Sequence, residues 1–344
     1  MRNFFKSFFS IIIGIVVGLI IGEIVLRIYN PLPSRVHGNQ IQLKTNLKRV
    51  FPIKPPIRGL DSTIYYSSNS LGFRGEEKPA DFDHVFSIIA VGGSTTECSL
   101  LSDNQTWAFK LNKSLKESYN NVWVNNAGID GCSTYGHNIL LQDYILKLKP
   151  KMVLFLIGAN DRAKSDFKHE NGFLIDRPEP VIATFLKKNS ELANLINNLY
   201  ISYLSRKAYV GINIKKKKHF KTIEERRKYL KQYVEDQPVY KSRVELLVKK
   251  CKDNNIIPVL ITQPLLTDSV GLAGMDIYNN TVKQICAEQH ILCIDLSKEM
   301  EKDSAYFYDR MHYTIKGCTR VSEIISTDLK EYFETNKATM KLNK

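Results

Sequence analysis

The chain opens on an almost unbroken apolar run. From Phe8 to Leu26 it reads "FFSIIIGIVVGLIIGEIVL", with Glu23 as its one charge. That is close to the roughly 20 residues needed to cross the hydrocarbon of a bilayer. The pattern then breaks into Pro, Asn, Ser and Gly ("NPLPSRVHGN", "FPIKPPIRG", "SSNSLGFRGEEKP"), which reads as a spacer becoming an irregular lead-in. From Asp83 the pattern changes again. Short, nearly continuous apolar runs recur: "VFSIIAVGG", "NVWVNNAG", "KMVLFLIGAND", "NIIPVLITQP" and "ILCIDLS". Runs of this length without alternation predict strands buried on both faces. Between them lie stretches with helical spacing, such as "TWAFKLNKSLKESY" with Trp107, Leu111 and Leu115, "YGHNILLQDYILKLKP", "MDIYNNTVKQICAEQH" and "TRVSEIISTDLKEYFET". Strands alternating with helices imply a parallel sheet of about five strands covered on both faces and joined by right-handed crossovers.

The resulting organisation is an N-terminal transmembrane helix or signal anchor at 1–29, a linker and lead-in at 30–82, an α/β domain at 83–335 and a tail at 336–344. A charged, amphipathic stretch at about 163–250 interrupts the domain and reads as a helical insertion, a lid or an acceptor-binding element. "GEIVLRIYNPLP" offers no small-residue cleavage site, which favours an uncleaved anchor over a removable signal peptide. Arg2 and Lys6 before the span argue for an inside N-terminus, while Arg27 and Arg35 after it weaken the asymmetry. The expectation is a single-pass protein whose domain faces away from the cytoplasm.

Composition adds little to this picture. With 344 residues, 43% hydrophobic and 24% charged, the chain is that of a folded protein. A net charge of +14 would favour polyanions or an anionic membrane surface, but the lysines are scattered except at Lys215–Lys218. No nucleic-acid recognition motif accompanies that charge, so no nucleic-acid partner is expected. The cysteines at 98, 132, 251, 286, 293 and 318 show no zinc spacing. A Cys98–Cys132 disulfide is one pairing that an oxidising compartment would permit.

The chemistry sits at the strand ends. In open α/β sheets, ligands bind beyond the carboxyl ends of the strands. There the sequence delivers Gly92-Gly93-Ser94, then Asn126-Ala127-Gly128 with Gly131 beyond, then Gly158-Ala159-Asn160-Asp161, and finally Asp309 and His312 before the closing helix. These are the parts for acyl transfer: a nucleophile, a base, an orienting carboxylate and oxyanion donors. Ser94 would lie on a strand-to-helix turn relieved by glycine, at a helix N-terminus whose free N–H groups and dipole favour a developing oxyanion. His312 is the candidate base, and Asp309, three residues earlier, the group that fixes its tautomer. The N–H groups of Ser94 and Gly131 and the Asn160 amide are the candidate oxyanion donors, with Gly128 as the alternative glycine. Cys98, a turn into the helix, is an alternative nucleophile. A phosphate loop is excluded, since no G-x-x-x-x-G-K-[ST] run is present.

The blocks "GGST", "NNAGIDG", "GAND" and "DRMH", in this order, resemble the SGNH, or GDSL-like, hydrolases. "NSLGFRG" (Asn69 to Gly75) also resembles a segment found ahead of the first block in membrane-anchored members. The resemblance covers residues 85 to 330 apart from the insertion, and it departs where Gly93 replaces the motif's aspartate. It implies a flavodoxin-like three-layer α/β/α fold and a serine esterase needing no metal or organic cofactor. Its residues would be Ser94, Gly131, Asn160, Asp309 and His312. The implied substrate is an O-acyl group, O-acetyl above all, on an envelope or secreted polysaccharide. A lipase or lysophospholipase, an acyltransferase, and a non-catalytic envelope assembly or binding factor are the alternatives.

Overall fold

A computed structural model describes residues 2–29, 36–37, 40–161, 222–267, 269–340 and 342, with 182, 185–186, 189–196 and 199–200 between them. The helical insertion expected at 163–250 therefore lies partly outside the described residues. The chain forms two compact units, Met1–Gln42 with Lys168–Asn213, and Leu43–Phe167 with Ile214–Lys344.

In the first unit, helix α1 (Arg2–Ile28) carries the apolar run. Its segment Lys6–Ile28 has a mean hydropathy of 2.7 and is almost wholly exposed. Length and apolarity of this kind satisfy the requirement for a bilayer span and for a signal sequence alike. Two short strands, β1 (Val36–His37) and β2 (Gln40–Ile41), pair antiparallel. Glu23 accepts hydrogen bonds from the Ser190 hydroxyl and the N–H groups of Glu191 and Leu192. This is how a carboxylate near the end of an apolar helix is satisfied.

The second unit begins with an antiparallel hairpin, β3 (Lys48–Pro52) and β4 (Thr63–Ser67), in register from Lys48↔Ser67 to Pro52↔Thr63. The Pro- and Gly-rich composition of this lead-in reads as irregular, yet Asn69, Phe73 and Arg74 are buried in it. Tertiary contacts override the local breaker signals here.

The sheet follows. Strand β5 (Phe86–Gly92) leads into one turn of helix, α2 (Ser94–Glu97), then α3 (Trp107–Lys116) and β6 (Val122–Asn126). Next come α4 (Thr134–Leu140), a π turn at Leu141–Ile145, α5 (Leu146–Leu148) and β7 (Met152–Leu156). The long α6 (Ile223–Asp253) precedes β8 (Ile257–Ile261), α7 (Ser269–Gln289) precedes the two-residue β9 (Cys293–Ile294), and the chain closes through α8 (Leu296–Glu299), α9 (Ile315–Thr335) and α10 (Lys337–Met340). The five strands β5 to β9 pair in parallel in the order β6-β5-β7-β8-β9. This is the flavodoxin-like doubly wound order.

Every residue of β5, β6 and β7 is buried, as the unbroken apolar runs require. Side chains alternate between the two faces. Ile88, Ala90, Leu154 and Leu156 join one core with Trp107, Leu111, Leu115, Val321, Ile325 and Phe333 of α3 and α9. On the other side, α4, α6 and α7 pack together, with Tyr240 stacked on Tyr278 at 4.3 Å between ring centroids. The result is three layers, α/β/α, and it places the carboxyl ends of β5 and β7 side by side where the strand order reverses.

Candidate active site

The turn after β5 is closely fitted. A Cβ on Gly92 would lie 2.1 Å from Thr96 Oγ1 and 2.5 Å from the Leu156 carbonyl, and one on Gly93 would lie 2.4 Å from Asn160 Nδ2. Glycine at both positions lets the strand turn at once into α2. Gly93 is the N-cap, and Ser94 is the first helical residue. The expectation of a useful helix dipole at Ser94 meets a limit: α2 is one turn long, and a macrodipole is the sum of many aligned peptides. What the turn supplies is local. Its Thr96 and Glu97 N–H groups are taken by the Gly93 carbonyl, whereas the Ser94 N–H has no partner among the described residues.

Ser94, His312 and Asp309 form a hydrogen-bonded line. His312 Nε2 lies 2.8 Å from Ser94 Oγ, and His312 Nδ1 lies 2.6 Å from Asp309 Oδ2. The other Asp309 oxygen accepts from the N–H groups of Met311 and His312, both at 2.8 Å, so the carboxylate closes its own turn. Burial pushes the Asp309 carboxyl up, but the hydrogen bond and charge of His312, with those two N–H groups, outweigh it and hold it below the ordinary carboxylate value. Tyr308 stacks parallel to the His312 ring at 5.5 Å. Thr314 begins α9 behind the histidine, accepting from the Gly317 N–H.

Gly131 and Asn160 meet the same corner from the next two strands. Beyond β6, the N–H groups of Ala127 and Ile129 bond to the carbonyls of Ala90 and Gly92, so this loop runs along the end of β5. Gly131 has φ +72, a conformation that favours glycine, and its N–H has no partner among the described residues. Gly128, the alternative, is otherwise engaged: its N–H donates to Asn126 Oδ1 at 2.9 Å, and its α-carbon is pressed against the Glu97 backbone. Asn160 donates one amide hydrogen to the Cys132 carbonyl at 3.1 Å, which turns its nitrogen toward Gly93. Asp161 accepts from the N–H and hydroxyl of Thr134 at the start of α4.

The cysteines are all free thiols. Cys98 faces Cys318 at 3.7 Å between sulfurs, and not Cys132. It is 7% exposed, its sulfur lies in the core against Cys318 and the Thr95 carbonyl, and it makes no hydrogen bond with His312, so it has neither the access nor the base that a nucleophile needs. The sequence did not reveal the buried contacts that brace the Ser94 turn from behind. Arg74 is 4% exposed and donates to the carbonyls of Glu97, Cys98 and Leu101 and to Asp103 Oδ1 at 2.7 Å. Its backbone pairs with Asn126. "NSLGFRG" was the available signal, an arginine set among small and apolar residues.

A doubly wound parallel sheet that gathers Ser, Gly, Asn and an Asp/His pair at its switch point defines an α/β/α carboxylic ester hydrolase. The chain belongs to the GDSL-like Lipase/Acylhydrolase family, whose profile matches residues 90–320. Solved structures similar to it include LAE5, an alpha/beta hydrolase enzyme from the metagenome of Lake Arreo, Spain, at 14% identity and TM-score 0.45, covering 71% of this chain and 94% of that one. The acetyl xylan esterase AlAXEase is similar at 15% identity and TM-score 0.44, with 70% and 98% covered. Axe2, an acetylxylan esterase from Geobacillus stearothermophilus, is similar at 17% identity and TM-score 0.43, with 71% and 93% covered. No curated protein sequence matches the chain.

Proposed function

We propose that Ser94 is the nucleophile of a serine esterase that cleaves O-acyl esters, O-acetyl groups on an envelope or secreted polysaccharide above all. The observation that carries this reading is the line Ser94 Oγ, His312 Nε2, Asp309 Oδ2, with contacts of 2.8 and 2.6 Å. His312 takes the hydroxyl proton as Ser94 attacks the ester carbonyl, then delivers it to the departing alcohol. Water, deprotonated by the same ring, resolves the acyl-enzyme. Asp309 holds the ring tautomer and stabilises the imidazolium; its lowered pKa keeps it ionised while it does so. The Ser94 and Gly131 N–H groups and the Asn160 amide receive the oxyanion, and each such donor contributes about 10²–10³ in turnover. The carbohydrate reading is supported by the apolar helix α1, which would hold the domain beside the envelope.

The test uses the full chain in detergent with p-nitrophenyl esters from acetyl to dodecanoyl and a serine-reactive phosphonate. Wild type should turn over the acetyl ester fastest and be labelled at Ser94. Ser94→Ala should lose activity by at least about 10³-fold. Equal rates for wild type and Ser94→Ala, with no label at residue 94, would refute the nucleophile assignment. A maximum at long acyl chains would replace the acetyl reading with a lipase.

A further inference from the structure

One turn beyond Ser94, Glu97 is 1% exposed and takes no part in the triad or among the oxyanion donors. A carboxylate so enclosed must have partners. Its Oε2 accepts from the backbone N–H of Asp130 at 2.5 Å, and its Oε1 accepts from the Tyr66 hydroxyl at 2.9 Å. Asp130 is the residue before Gly131. The Glu97 backbone also abuts the α-carbon of Gly128, where a Cβ would approach its nitrogen to 2.3 Å. The loop from 128 to 131 is therefore held at both ends by the residue that closes the Ser94 helix. On the far side, the Arg74 guanidinium lies 4.3 Å from the Tyr66 ring centroid and bonds to the Glu97 carbonyl, and Asp103 anchors it. A polar chain thus runs from Asp103 through Arg74, Tyr66 and Glu97 to the Asp130 N–H.

We propose that Glu97 is a positioning residue for the oxyanion site: oriented by Tyr66 and Arg74 of the lead-in, its carboxylate fixes the 128–131 loop so that the Gly131 N–H faces the substrate oxygen at Ser94. This rests on the reading of Ser94 and Gly131 given above. Ser94 and Glu97 share one helical turn, so nucleophile and loop are referred to a single rigid piece. Donors placed in advance need no reorganisation as charge develops, and a displacement of about 1 Å can cost on the order of 10²-fold. Tyr66 and the buried Arg74 of "NSLGFRG" then serve the catalytic apparatus and not a spacer.

Full-length wild type, Glu97→Gln, Tyr66→Phe and Ser94→Ala, in detergent with p-nitrophenyl acetate, test this. Glu97→Gln keeps the shape but sets an amide hydrogen against one of the two donors. Its kcat should fall about 10- to 100-fold with KM within about threefold, because the lost interaction is made in the transition state. The pH midpoint of kcat/KM should not move, since His312 and Asp309 are untouched. A folded Glu97→Gln with wild-type kcat, a raised KM at unchanged kcat, or a shifted pH midpoint would each overturn the proposal. Should Glu97→Gln not fold, Tyr66→Phe decides: a kcat at least about threefold lower at unchanged KM supports it, and wild-type kcat overturns it. Ser94→Ala separates the two readings. If it is inactive while Glu97→Gln matches wild type, only the positioning role falls; if it keeps the wild-type rate, both fall.

Discussion

At Gly93 one hydrogen atom decides the geometry. The family motif that the sequence resembles carries an aspartate there, and this chain has a glycine whose α-carbon faces the Asn160 amide. A methyl group placed on it would sit 2.4 Å from Asn160 Nδ2 and 3.4 Å from the Cys132 carbonyl. Since Cys132 O is also the acceptor that orients Asn160, the strain falls on one amide. The backbone itself would tolerate alanine, because φ at Gly93 is −85. Gly93→Ala should therefore cost about 10- to 100-fold in kcat through a displaced oxyanion donor, and about 1–3 kcal/mol of stability through overpacking. Steady-state kinetics on p-nitrophenyl acetate with a thermal melt checks both. An alanine variant with wild-type kcat would show that Asn160 yields without consequence.

Helix α4 carries two opposed titrations. Asp161 caps its first turn at Thr134, and burial against those hydrogen bonds pushes the carboxyl up from 3.8 to about 6. On the same helix, His137 is buried, and burial pushes it down from 6.5 to about 4, opposed by a contact with the Gly92 backbone. The signs differ. The Asp161 contribution is present below its unfolded pKa and is lost as pH rises through about 6. The His137 contribution is present above 6.5 and is lost as pH falls through about 4. Each spans about two pKa units, on the order of 3 kcal/mol, so in the wild type they largely offset. Asp161→Asn should expose the histidine and make the protein lose stability on acidification from pH 6.5 to 4. His137→Gln should expose the aspartate and make it gain stability over the same window. Denaturant melts at three pH values compare the slopes; parallel curves for all three proteins would rule out this pairing.

At the scale of the whole molecule, a basic chain carries its hydrolase fold at a distance in sequence from the apolar helix α1. Arg2 and Lys6 lie in its first turns, ahead of the unbroken apolar run, and we propose that the domain beyond it faces away from the cytoplasm. Protease added to intact cells should then cleave the domain while a cytoplasmic control protein survives. Protection of the domain until the membrane is opened would reverse the orientation. The net charge of +14 belongs to this scale as well, as a property of solubility and surface attraction that leaves the fold and the site unaffected.

Five strands, the helices between them and the arrival of the candidate blocks at strand ends were legible in the sequence, because they rest on local rules. A strand covered on both faces must be apolar throughout, and a helix must repeat its apolar positions with the turn of its backbone. The positions of Ser94, Asn160, Asp309 and His312 could be read for the same reason: each follows a strand end or precedes a helix that the pattern marks. The strand order, and with it the adjacency of β5 and β7, came only from the tertiary structure, since pairing between distant strands leaves no local trace. So did the engagement of the Gly128 N–H by Asn126, the Cys98–Cys318 contact in place of Cys98–Cys132, and the burial of Arg74 and Glu97. A charged side chain reads as surface in any sequence, and only the fold reveals which charges are enclosed and what they hold.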